Sequence, residues 1–205
     1  MPKPLEAQTA FERNVRVYAQ SAPESRSQKR LEALQDALGE KYGRDGAKLS
    51  RNLHLTLMHL GKPRELMEGI RVHNPDITRD TFIDALDAVI RRSRNLMPDA
   101  YSLATSGFDW FGSKREALAL RLEPDEQYRE AHQMAAKAAE MFLRKCGVPD
   151  PDAYARWDSN LKHMHTISPH ITLLRSVKSE ELPAPEQVPS SIDLEPITII
   201  DPTQD

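Results

Sequence analysis

The tripeptide His-x-Thr occurs twice in this chain on an apolar background, as LHLTLMHL around His54 and PHITLLRS around His170, with 116 positions between the histidines. Each copy reads as a strand, because a short leucine- and isoleucine-rich run with period-two alternation favours extended backbone. Alternation then assigns faces: His54 and Thr56 point one way and Leu55 and Leu57 the other, as do His170 and Thr172 against Ile171 and Leu173. Each copy thus offers one imidazole and one hydroxyl to a surface and an apolar pair to a core. A lone His-x-Thr arises readily by chance. Two copies, both continuing with leucine and both following helical periodicity, point to a paired site in a duplicated strand–helix–strand framework.

The rest of the chain fills in that framework. Residues 15–19 read as a short strand after a polar lead, and Ser25–Tyr42 as a helix with Leu31, Leu34, Leu38 and Tyr42 at intervals of three and four and Gly43 as its stop. Asp76 or Thr78 caps a helix facing inward through Phe82, Leu86, Val89 and Ile90. Its basic end, RRSR, suits a helix C-terminus without invoking nucleic acid. Residues 101–108 and Ala117–Leu122 read as a hairpin turning at Gly112, Ser113 and Lys114, with Trp110 and Phe111 in the turn, as packing or as a cover for a cleft. A further helix spans 125–146 with Met134, Ala138, Met141 and Phe142 inward. Stretches 62–80 and 149–168 read as long loops, and IDLEPITII as one closing strand whose Pro196 marks an edge or bulge.

Composition limits the function. At 205 residues one domain, 1–205, is expected, and a net charge of -3 argues against gripping long duplex nucleic acid through its phosphates. Cys146 is the single cysteine, which excludes an intrachain disulfide framework and fits a reducing compartment. The N-terminal segment lacks a signal peptide's apolar core and no run is long enough to span a bilayer, so a cytoplasmic protein with no membrane partner is expected, as a monomer. His163 and His165 in HMHTISP have no third ligand at a recognisable spacing, so no metal and no cofactor are expected, and His73 and His132 receive no role.

Paired histidines suit displacement at phosphorus, which needs a base for the attacking oxygen and an acid for the departing one. A pKa near 6.5 allows one imidazole to be neutral while the other is protonated. Threonine hydroxyls can donate to the non-bridging oxygens, where charge develops.

These residues resemble the 2H phosphoesterase superfamily, and most closely its 2',3'-cyclic phosphodiesterases, also called 2'-5' RNA ligases. HLTLMHLG resembles the first motif with its trailing Leu-Gly, and SPHITLLR the second with its preceding proline and its arginine five positions on. The resemblance implies an α+β, bilobal, pseudo-twofold fold, two small antiparallel sheets with helices outside and a central cleft. It also implies His54 and His170 as acid and base, Thr56, Thr172 and Arg175 as phosphate contacts, and a small nucleotide or RNA end as substrate. Strict alternation sets Arg175 opposite His170, so that contact requires the strand to bend. His59 stands where relatives often carry phenylalanine against the base, so the resemblance implies a base-stacking role for His59, whose imidazole stacks less strongly than a phenyl ring. Hydrolysis of another small diester, such as a cyclic signalling nucleotide or ADP-ribose cyclic phosphate, and a non-catalytic binding module are the alternatives. Ligation fits the net charge least.

Overall fold

Apolar residues from most strands and helices converge on one core, in which Phe82, Leu86, Leu118, Phe142, Ile171 and Leu173 are almost wholly buried. The computed structural model describes residues 6–43, 46–99, 101–112, 114–178, 181–184 and 188–200. Its elements run α1 (Glu6–Arg13), β1 (Val17–Ser21), α2 (Ser25–Tyr42), β2 (Lys48–Leu49), β3 (Leu55–Gly61), α3 (Pro63–Arg71), α4 (Arg79–Ser93), β4 (Tyr101–Phe111), β5 (Ala117–Leu122), α5 (Glu126–Lys145), α6 (Pro151–Trp157), β6 (His170–Arg175), β7 (Ser191–Leu194) and β8 (Thr198–Ile200). No helix among the described residues is long and apolar enough to cross a membrane.

Pairing is antiparallel throughout, in the order β7-β4-β5-β6-β3-β1-β8, with β2 added against β6. Two halves of this eight-stranded sheet, β7-β4-β5-β6 and β3-β1-β8, are joined at the single register pair Leu55–Ile171. Helices α2 and α5 pack against β6 and β3 respectively. This is the expected α+β fold, with the two expected small sheets joined into one eight-stranded antiparallel sheet.

The tail dictates the sheet's curvature. β7 and β8 lie at opposite ends of the strand order, yet only Glu195, Pro196 and Ile197 separate them. Seven flat strands span about 29 Å at the usual interstrand spacing, whereas the four steps from Leu194 to Thr198 reach at most about 14 Å. The sheet must therefore curl until its edges approach. Pro23 bridges Leu194, Glu24 N–H donates to the Asp193 carbonyl at 2.8 Å, and Glu195 N–H donates to Ala22 at 2.8 Å. IDLEPITII is thus two edge strands rather than one. Proline supplies no ladder donor, so the run breaks at Pro196 and each half finds its own edge.

Bulges interrupt both motif strands at matching places. Thr56 and Met58 pair with consecutive residues Gln20 and Ala19, leaving Leu57 unopposed, and Thr172 and Leu174 pair with Ala119 and Leu118, leaving Leu173 unopposed. The carbonyl of Leu173, released from the ladder, accepts from Ser50 N–H at 2.8 Å and from Gln35 Nε2 at 2.8 Å. Gln35, buried on the inner face of α2, also donates to the Ser50 carbonyl at 3.0 Å and so braces the bulge.

Several elements differ from the sequence expectation. The stretches read as loops at 62–80 and 149–168 contain α3 and α6, because Pro63 and Pro151 occupy the first helical turn, where a missing N–H costs nothing. Asp150 caps α6 by accepting from Ala153 N–H at 3.0 Å. The polar lead contains α1, which rests on α3 and α4 through Ala7 and Ala10. Thr78, not Asp76, caps α4. The inward stripe of α5 is Ala131, Ala135, Ala138 and Phe142, while Met134 and Met141, one position off that stripe, are 50% and 41% exposed. β4 extends through Trp110 and Phe111, which therefore lie in a strand and not in the turn; of the turn residues, Ser113 is outside the described residues.

Replacing Gln35 with leucine leaves two buried carbonyls short of a donor. Gln35→Leu should lower stability by about 1–3 kcal/mol, read as a reduced urea midpoint; an unchanged midpoint would show that the bulge needs no brace.

Candidate active site

The Leu55–Ile171 pair places the two motifs about a local twofold axis. Continuing the antiparallel register sets His54 opposite Thr172 and Thr56 opposite His170. The histidines then lie on the diagonal of one face, a separation of about 7–8 Å in such ladders. Each imidazole is anchored alike. His54 Nδ1 meets the Asn52 carbonyl at 3.0 Å and His170 Nδ1 meets the Ser168 carbonyl at 2.8 Å, two residues upstream in both cases. A carbonyl can only accept, so each Nδ1 carries the proton and each Nε2 is left as the exchangeable nitrogen.

The bulges decide which residues share that face. Without the extra Leu57 and Leu173, His59 and Arg175 would turn towards the core. With them, both return to the side of the histidines, as the burial along Leu55–Gly61 and His170–Arg175 reflects. His59 and Arg175 are equivalent under the local twofold, each five positions after its histidine. The bend required for Arg175 is therefore a one-residue bulge braced by Gln35.

Aromatic rings back the histidines. The Phe111 ring stacks on His170 with centroids 3.8 Å apart and 19° between planes, and Tyr18 lies nearly parallel to His54 at 6.1 Å. Tyr18 also touches His59 at 5.4 Å. Trp110, by contrast, faces the core, edge-on to Tyr42 at 6.4 Å.

Two compartments flank this face. A chamber of about 310 Å³ is lined by His170, Phe111, Tyr128, His132, Met164 and neighbours, with no Lys, Arg or carboxylate among its lining residues. A more open groove of about 760 Å³ holds His54 and Arg175 with Arg16, Lys48 and Arg51, again with no carboxylate among the described residues. Thr56 and His59 border both. Thr172 shares the face of His170 but borders neither.

Burial sets the protonation of this site. It lowers the pKa of His170, opposed by the Ser168 carbonyl and aided by His54 and Arg121. His132 is lowered by burial, with His165 adding to the effect. His59 is pushed down to about 4, by burial first and then by Arg16 and His54, with Asp158 opposing. Its Nε2 is buried without a hydrogen-bond partner among the described residues. Cys146 is fully buried, and burial pushes its thiol up to about 12, so it is inert.

Sequence reasoning missed Arg16, Tyr18, Lys48 and Arg51, which only strand pairing brings beside His54; nothing in their local pattern marks them. It gave His132 no role, yet that residue lines the chamber with His163. His165, read as a loop residue without a partner, lies 3.1 Å from Asp152 and 3.8 Å from Glu140. Their donor atoms fall within 4.8 Å of one another at a spacing no motif describes. With His165 and Asp152 more than half exposed, we treat the three as a surface ion-pair cluster.

The titration of His59 has a consequence for stability. Neutral in the folded chain down to about 4 and ordinary near 6.5 when unfolded, it binds more protons unfolded between these values. Stability should thus fall as pH drops through that window, and His59→Phe should make the fall shallower, measured as urea midpoints at pH 7 and pH 5. Equal losses in both proteins would contradict the assignment.

Comparison with known proteins agrees with this architecture. Residues 22–199 match the family model described as the 2'-5' RNA ligase superfamily. E. coli LigT in its apo form is similar in fold, with 15% identity, a TM-score of 0.52, and coverage of 88% of this chain and 83% of that one. LigT complexed with NADP+ aligns at 16% identity and a TM-score of 0.51, covering 88% and 83%. A structure described as a phosphoesterase aligns at 15% identity and 0.51, covering 88% and 84%. None of the curated proteins compared with the chain matches it in sequence. With a family match over most of its length and the fold of those structures, the chain belongs to the 2'-5' RNA ligase superfamily of 2H phosphoesterases.

Proposed function

We propose that the protein opens a cyclic phosphate, on a 2',3'-cyclic nucleotide or an RNA end, by acid and base catalysis between His54 and His170. The observation that carries this reading is the matched anchoring of the two imidazoles, each with Nδ1 held by its own upstream carbonyl, on strands whose shared register pair sets both histidines on one face. A phosphorus between them can be attacked from one side and lose an ester oxygen on the other.

Roles follow from burial. The lowered pKa of His170 favours the neutral imidazole, which suits the base. His170 Nε2 takes a proton from water as its oxygen bonds to phosphorus. His54, protonated, gives a proton to the ester oxygen whose bond to phosphorus breaks. One proton enters and one leaves the histidine pair, so the pair ends with its roles exchanged. Thr56 and Thr172 donate to the non-bridging oxygens, and Arg175 neutralises them from the groove side. His59, with its buried Nε2, contributes a hydrogen-bonding edge beside whatever stacking its ring provides. Both proton transfers are supplied by side chains, so the scheme uses no metal. We place this activity in the cytoplasm, with a small nucleotide or RNA end as partner.

His54→Ala and His170→Ala should each lower kcat by about a hundred- to ten-thousand-fold, with 2',3'-cyclic nucleotides assayed in EDTA. Turnover that survives both substitutions sinks the mechanism. Because the base must be deprotonated and its pKa is lowered, the acid limb of kcat/KM should fall below pH 6.5. A limb well above 6.5 would assign the base elsewhere.

A further inference from the structure

We infer that the groove beside His54 is a subsite for a second anion, a phosphate carried by the ligand beyond the one that is cut. The inference rests on the proposed cyclic-phosphate reading and names a part of the ligand that reading leaves open.

Four cations from separate segments meet in the groove: Arg16 before β1, Lys48 in β2, Arg51 between β2 and β3, and Arg175 at the end of β6. No carboxylate among the described residues lines it, in a chain whose net charge is -3, so the excess is local and not inherited from composition. Lys48 stands directly opposite Arg175 in the β2–β6 register. Like charges so placed repel and destabilise the pair. Elsewhere exposed arginines find acids, as in Arg79–Glu12, Arg71–Glu68 and Arg121–Asp109. Among the described residues none pairs with Lys48, Arg51 or Arg175. Edge-strand lysines do discourage strand pairing, which accounts for Lys48 but not for Arg51.

The opposite compartment sharpens the assignment. The chamber beside His170 has no Lys, Arg or carboxylate and is walled by Phe111, Tyr128 and Met164, so it suits a neutral, flat group. The cleft is therefore polarised, neutral on the His170 side and cationic on the His54 side. Arg175 is engaged by the scissile phosphate in the proposed reaction. Lys48 and Arg51 remain for a further phosphate, whether a 5'-phosphate on a mononucleotide or the internucleotide phosphate next to an RNA end.

The test compares three substrates: a nucleoside 2',3'-cyclic phosphate, the same compound with a 5'-phosphate, and a dinucleotide ending in the cyclic phosphate. The added anion should raise kcat/KM about tenfold, the scale of one charge-assisted hydrogen bond. The double substitution Lys48→Glu with Arg51→Glu should bring the ratio to about one, and Lys48→Arg should keep it. A gain in the dinucleotide alone assigns the anion to an RNA strand; a gain in both arms assigns the subsite to phosphate of either source. A ratio near one in the unsubstituted protein, or a tenfold ratio that survives the double substitution, overturns the subsite. The same comparison is made by calorimetry with a nucleoside 3',5'-bisphosphate against the 3'-monophosphate, which needs no turnover. If no cyclic substrate is hydrolysed the proposed reaction fails, and equal affinities of the two ligands then overturn the subsite as well.

Discussion

Two halves of a sheet that share one register pair have little to hold them in line, and here that pair, Leu55 with Ile171, lies one residue from each histidine. Its antiparallel geometry supplies the twofold axis that relates the motifs. Because side chains alternate, the same pair that buries leucine and isoleucine in the core turns His54, Thr56, His170 and Thr172 to the other side. The short Glu195–Pro196–Ile197 connection curls the sheet, and the contacts of residues 22–24 with 193–195 hold its far edges near one another. The core, the curl and the histidine pair are consequences of the same pairing.

On this symmetric base the chemistry is asymmetric. Equivalent bulges at Leu57 and Leu173 bring forward His59 on one side and Arg175 on the other. Phe111 covers His170 closely, while His54 opens onto a groove with four cations. The buried imidazole is biased towards neutrality by the same contacts that exclude water from it. In the reaction we propose, that difference divides base from acid between two residues that the twofold would otherwise make interchangeable.

Much of this was legible from residue patterns. The His-x-Thr strands, α2, α4, α5 and the β4–β5 hairpin all carry strong local periodicity, and the duplicated motif pointed to the family. What stayed hidden depends on pairing between distant segments. Arg16 and Lys48 acquire a place in the groove only because β1 pairs with β3 and β2 with β6. Net charge averaged over the chain concealed the basic groove. The apolar pairs Leu57–Met58 and Leu173–Leu174 did record the bulges, since two consecutive apolar residues break alternation, and that signal would have placed Arg175 and His59 from sequence. The stretches 62–80 and 149–168 read as loops, yet their Pro63 and Pro151 start helices, a distinction that turns on whether a stretch of amphipathic spacing follows.

The central claim is that both imidazoles address one phosphate. It is tested most directly by NMR of the histidine ring Cε1–H signals, assigned through His54→Gln and His170→Gln, while a nucleoside 2'- or 3'-monophosphate is titrated in. The account predicts that the His54 and His170 signals shift together along one binding curve with a shared Kd. A response from one histidine alone, or two curves with different Kd values, would contradict it.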